Sequence, residues 1–163
     1  ITFIPTISYP SLISKNLKLE LKNLGFPGSC RIEKEVVDEI SKMKFDYAFL
    51  ELGINIINEI STSEYKDKCL YLLEQITKSQ KKIFVTDIFS YYNEKCGVSI
   101  NKLNSFRKEL KNLCKNFTNI TYISGKSLLK NRNYLCADLV HPDVEGHQII
   151  YQNLIKIIRK NIL

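Results

Sequence analysis

Apolar residues recur along this chain in two alternating rhythms, one of helical period and one of short uninterrupted runs. Leu12, Ile13 and Leu17 share one side of residues 11–17, which follow Pro10 and read as a short helix. Residues 19–24, with Leu19, Leu21 and Leu24, read as a strand that stops at Gly25. Ile32, Val36, Val37, Ile40 and Met43 then return at helical spacing. Tyr47-Ala48-Phe49-Leu50 is a short apolar run leading into Glu51-Leu52-Gly53, the pattern of a buried strand.

The alternation persists to the end. Tyr65, Cys69, Leu72, Leu73 and Ile76 mark a third helix, with Ser61 or Ser63 as its cap. Ile83-Phe84-Val85 is a second buried strand, and Ile100, Leu103, Phe106, Leu110, Leu113 and Phe117 trace the longest helical stripe. Ile120-Thr121-Tyr122-Ile123 is a further strand, and a last helix starts near Pro142 and carries Ile150, Leu154, Ile157 and Ile158. Strands alternating with helices in this way predict βαβ units, hence a parallel sheet with helices on both faces. The expected class is α/β, a flavodoxin-like three-layer sandwich, as one domain over residues 1–163. One feature departs from that plan. A doubly wound sheet normally opens on a central strand, whereas Ile1-Thr2-Phe3-Ile4-Pro5 reads as a loop entering a helix. The expectation is therefore that the first strand is missing, or lies upstream of Ile1.

Composition narrows the function classes. A net charge of +7 invites an acidic partner, but the basic residues are scattered and no aromatic–basic motif accompanies them, so nucleic acid is not expected. Their densest group, Arg107, Lys108, Lys111 and Lys115, reads as the solvated face of the long helix. No apolar run approaches the eighteen or so residues of a membrane span, and no leader pattern opens the chain. Five cysteines without C-x-x-C spacing argue against a zinc site or a disulfide framework, and for a reducing compartment such as the cytoplasm. Oligomeric state is not legible.

Ligands of such sheets bind at the carboxyl ends of the strands, so the loops there hold the candidate chemistry. Asn23-Leu24-Gly25-Phe26-Pro27-Gly28-Ser29-Cys30 carries two glycines that permit a tight turn and close approach of a ligand to backbone N–H groups; the alternative is a plain turn. Gly53-Ile54-Asn55 follows a strand, where the Asn55 amide can serve a developing oxyanion or simply cap a turn. Asp138-Leu139-Val140-His141-Pro142-Asp143, then Gly146, precedes the last helix. Asp138 is placed to take the proton on one imidazole nitrogen of His141, fixing the tautomer and leaving the other nitrogen for a substrate. His147 has no such partner and is expected to be structural.

Taken together and in order, these pieces resemble the SGNH hydrolases, the GDSL-like esterases and acylhydrolases. The stretch from Asn23 to Ser29 is similar to the family's second block, Leu52-Gly53-Ile54-Asn55 to its third, and Asp138-Leu139-Val140-His141-Pro142 to its fifth. The resemblance implies that Gly28 and Asn55 donate to an oxyanion hole, that His141 and Asp138 are the base and acid of a catalytic triad, and that no metal or organic cofactor takes part. It implies a serine ester hydrolase, an acylesterase or deacetylase, acting on a small ester or acylated carbohydrate.

The family's first block, which carries the nucleophile, is the departure. Ile1-Thr2-Phe3 resembles the residues that directly follow that serine, which would place the serine immediately before Ile1. The resemblance leaves three readings: a longer active enzyme, a truncated form without activity, or a non-catalytic ligand-binding domain on the same fold. Ser8 and Ser11 are the nearest hydroxyls within the chain, and both fall in the wrong place relative to the first strand.

Overall fold

A computed structural model describes residues 6–79 and 81–162. The stretch at residues 1–5, read above as following the nucleophile, lies outside the described residues. Three strands, β1 (Tyr47–Glu51), β2 (Lys82–Thr86) and β3 (Ile120–Ile123), pair in the order β1-β2-β3. Both ladders are parallel, with Phe49 opposite Phe84 and Val85 opposite Tyr122. Six α-helices surround them among the described residues: α1 (Tyr9–Leu17), α2 (Lys34–Ser41), α3 (Thr62–Ile76), α4 (Ile100–Cys114), the single turn α5 (Gly125–Leu128) and α6 (Val144–Ile162).

The period-two alternation of the strands divides the core into two layers. Ile83 and Val85 of β2, with half-buried Ala48, Leu50, Ile120 and Tyr122, point to the side covered by α2, α3 and α4. Phe84, Phe49 and Ile123 point to the other side, where Tyr9 of α1, Leu128 of α5 and Ile150, Leu154 and Ile158 of α6 cover them. This is the three-layer α/β arrangement that the alternation predicts. The helix starts follow their local chemistry: the Ser61 hydroxyl accepts from Glu64 N–H at 3.1 Å to cap α3, and Ser99 accepts from Lys102 N–H at 3.2 Å to cap α4. A stacked Tyr65–Phe106 pair, centroids 4.0 Å apart, joins those two helices.

Two expectations are corrected. Residues 19–24 form no strand: they make no ladder with the described sheet, and Leu19, Leu21 and Leu24 stay 37–41% exposed. Alternating leucines supply a pattern, but a strand exists only where its N–H and C=O groups find a partner strand. Arg107 is not on the solvated face of α4 but buried, 8% exposed. It falls four residues after Leu103 and three before Leu110, and so on the apolar stripe. Three buried groups receive it there: the Asp87 carboxylate and the Ile88 and Phe89 carbonyls.

Candidate active site

Loops at the carboxyl ends of the strands build one side of the molecule. After β1, Leu52 N–H extends the ladder to Thr86 O at 3.1 Å, and Gly53 then turns the chain with φ of +115°. A Cβ on Gly53 would stand 3.1 Å from the Ile88 side chain and 3.2 Å from the Tyr65 hydroxyl, so this turn needs the glycine for conformation and space alike. It delivers Asn55, half-buried, and Ile57, 2% exposed, to the edge of a cleft.

The His141 loop lies opposite. Leu135 and Pro142 form an antiparallel bridge, Cys136 N–H donates to His141 O at 2.8 Å, and Leu139 N–H donates to Cys136 O at 2.9 Å. Leu139 takes φ of +64°, a left-handed conformation that costs a non-glycine residue about 1–2 kcal/mol. That turn lets one Asp138 oxygen accept from both Val140 N–H and His141 N–H at 2.9 Å, while the other meets His141 Nδ1 at 2.7 Å. Burial on its own pushes the Asp138 carboxyl up, but the two N–H groups and the imidazole outweigh it and hold the group below the usual carboxylate range. Asp138 therefore faces His141 as an anion, with the proton on Nδ1 and Nε2 as the basic nitrogen. Asp143 accepts from Gly146 N–H at 2.7 Å and starts α6 behind the loop. A Cβ on Gly146 would come within 2.4 Å of Tyr134 O, so the helix can approach the loop only with glycine there.

Ile54, Asn55, Ile57, Asn58, Tyr91, Cys96, Val98, Val140 and His141 line a cleft of about 160 Å³. A smaller cavity of about 40 Å³ adjoins it along Ile54, Tyr91, Val140 and His141 and reaches Glu51. Glu51 accepts from the Tyr9 hydroxyl at 2.7 Å, and burial raises its carboxyl. The fold thus brings Asn55 to the same cleft as the Asp138–His141 pair. Gly28 is not among the lining residues. It sits at φ of +67° in an exposed turn over residues 26–29, and that loop reaches the site end of the sheet at Cys30, whose thiol lies 3.8 Å from Glu51 O. Ser8 and Ser11 share a hydrogen bond of 2.9 Å at the start of α1 and do not line the cleft. His147 stacks on Tyr9 with centroids 5.7 Å apart, and burial lowers its imidazole to about 4.

The loop after β2 supplies a cleft wall that no sequence motif marks. Asp87, buried at the end of β2, accepts from the Tyr122 hydroxyl and from Gly125 N–H at 2.6 Å. Burial raises its carboxyl. Arg107 stands 3.9 Å from Asp87 and donates to Ile88 O at 2.8 Å and Phe89 O at 3.1 Å, which fixes the backbone just before Tyr91. Tyr91 is 4% exposed, its hydroxyl has no partner among the described residues, and burial pushes it up to about 12. Tyr92 N–H donates to Leu139 O at 3.1 Å and joins this wall to the His141 loop. The strand-end position that marks Asn55 in the sequence also marks Tyr91, and is the signal that could have found it.

A family model described as GDSL-like Lipase/Acylhydrolase matches residues 4–159. No curated protein sequence matches the chain. Among solved structures, a salicylyl-acyltransferase, SsfX3, from a tetracycline biosynthetic pathway superposes with a TM-score of 0.83 at 13% identity, over 99% of this chain and 51% of that one. A GDSL-like lipase from Bacteroides ovatus gives 0.79 at 20% identity, over 96% and 48%. An acetyl-xylooligosaccharide esterase from Geobacillus Stearmophilus gives 0.70 at 19% identity, over 93% and 80%. The chain therefore spans about half the length of the first two structures. At these identities the likeness concerns the fold. The family match, which covers nearly the whole sequence, goes further: this chain belongs to the GDSL-like lipase/acylhydrolase family.

Proposed function

We propose that the protein is a serine ester hydrolase whose nucleophile is the residue immediately before Ile1, with His141 and Asp138 completing the triad. The observation that carries this reading is the 2.7 Å bond between His141 Nδ1 and Asp138, set in a cleft that also holds Asn55. In the first half-reaction the serine oxygen attacks the acyl carbon and its proton passes to His141 Nε2. The bond to the alcohol oxygen then breaks as His141 returns that proton to the leaving group. Water repeats the sequence on the acyl-enzyme, giving the acid and restoring the serine. Asp138 stays ionised and stabilises the imidazolium. The Asn55 side-chain N–H, the Gly28 N–H and the serine N–H receive the oxyanion. For Gly28 this requires that the exposed loop at residues 23–30 close over the substrate. The chemistry uses no metal or organic cofactor.

A small ester or an acetylated sugar suits the cleft, and one structural relative is an acetyl-xylooligosaccharide esterase. Among the described residues no helix is long and apolar enough to cross a membrane. All five thiols are unpaired, which suits a reducing compartment such as the cytoplasm. The test is hydrolysis of p-nitrophenyl acetate by a longer version of the chain that carries a strand ending in Ser directly before Ile1. Turnover that disappears in His141→Ala supports the reading. Turnover that survives that substitution removes His141 from the mechanism.

A further inference from the structure

The cleft has a polar mouth and a floor that is apolar apart from the Tyr91 hydroxyl. His141 and Asn58 at its mouth are exposed and Asn55 half-buried, whereas Ile57 is 2%, Tyr91 4% and Val98 4% exposed. Ile57, Tyr91 and Val98 belong to the same buried cluster as Leu103 and Phe106 of α4, and the adjoining cavity along Tyr91 adds only about 40 Å³. Val98 is also fixed in place. Its N–H donates to Asn93 O and its carbonyl accepts from the buried Asn93 side chain, both at 2.9 Å, across a turn made at Gly97 with φ of +70°. Because both backbone bonds end on one residue, the loop over residues 93–98 holds the valine as a stop rather than a hinged side wall. The cleft's volume of about 160 Å³ falls below the roughly 300–1,000 Å³ of pockets that enclose drug-sized ligands.

We infer that this cleft is a blind acyl pocket for short acyl groups, roughly acetyl to butyryl, and that Val98 and Ile57 set the chain length it admits. The inference rests on the proposed ester hydrolysis and adds to it the class of acyl group. The ester carbon sits at the mouth between His141 and Asn55, and the acyl tail runs inward along Ile54 and Val140 to the floor. A longer chain meets the packed core, and opening the core would require moving Leu103 and Phe106.

The experiment uses the longer version with Ser before Ile1 and compares kcat/KM for p-nitrophenyl acetate, butyrate and octanoate. A shaped pocket discriminates by about 10–200-fold per methylene, so butyrate should exceed octanoate by at least about 100-fold. Val98→Ala deepens the floor and should narrow that ratio about tenfold. Val98→Leu raises the floor and should increase the acetate-to-butyrate ratio by about as much; it decides the matter if the alanine variant does not fold. Labelling of the unsubstituted protein by a fluorophosphonate reads the serine chemistry separately. Labelling together with octanoate turned over as well as butyrate, or with ratios that neither folded variant moves, overturns the short-acyl pocket and leaves the hydrolase standing. Absence of labelling overturns both.

Discussion

At the scale of single residues, the site depends on a short turn whose conformation is imposed by its own side chain. Asp138 accepts two backbone N–H groups and one imidazole nitrogen within four residues, and the left-handed Leu139 between them is the cost of that compactness. Such closeness along the chain makes the pair legible in the sequence alone. Asn55 is legible for a related reason, since its position just past a strand end follows from the strand itself. Its role is testable alone. Asn55→Ala in the serine-bearing version should lower kcat for p-nitrophenyl acetate by about 100- to 1,000-fold, the usual effect of deleting one oxyanion donor. The thermal midpoint should hardly move, because Asn55 has a half-exposed side chain at the cleft edge. An unchanged kcat would reassign Asn55 to capping the turn.

At the scale of elements, the wall behind the cleft is held by groups from β2, β3 and α4 that no motif connects. Asp87, Tyr122 and Arg107 are separated by 35 and 20 residues in sequence, and each is individually ordinary. Arg107 is easily misread because basic neighbours at 108, 111 and 115 suggest a wet helix face. Its spacing from Leu103 and Leu110 carries the contrary signal. Once Asp87 is removed, Arg107 is left as a buried cation with only the Ile88 and Phe89 carbonyls beside it, and breaking such a pair costs about 3–5 kcal/mol. Asp87→Ala should therefore lower the unfolding free energy by about that amount in urea titrations. A loss under about 1 kcal/mol would mean that Arg107 relies on the Ile88 and Phe89 carbonyls alone. Residues 19–24 show the opposite error. Their apolar alternation is real, but strand formation depends on a partner that the segment itself cannot specify.

The contact between α1 and α6 makes a pH-dependent contribution. His147 of α6 is stacked on Tyr9 of α1, and burial lowers it to about 4, against about 6.5 in an unfolded chain. Between those values the unfolded chain binds the proton and the folded chain does not, so acidification favours unfolding. The folded state should thus lose about 3 kcal/mol through His147 as the pH falls from about 6.5 to about 4, with no such loss above that window. Thermal unfolding across this range should be distinctly flatter for His147→Gln. Equal slopes in the two proteins would show that the imidazole titrates normally in the folded state.

For the whole molecule, the alternation of helices and strands is enough to place the three layers, because each element declares by its period which way its apolar side faces. The assembly of the cleft is less legible, since its lining comes from the loops after β1 and β2 and from the turn before α6. What unites these pieces is the sheet, whose parallel strands bring their carboxyl ends to one edge. At this edge, in the function proposed, a serine-hydrolase site forms around His141. The most direct test is intact mass after fluorophosphonate treatment of the serine-bearing version, its His141→Ala variant and the 163-residue chain. One adduct is expected on the serine-bearing protein and none on the other two. No adduct on any of them, with all three folded, would mean that His141 serves no serine nucleophile.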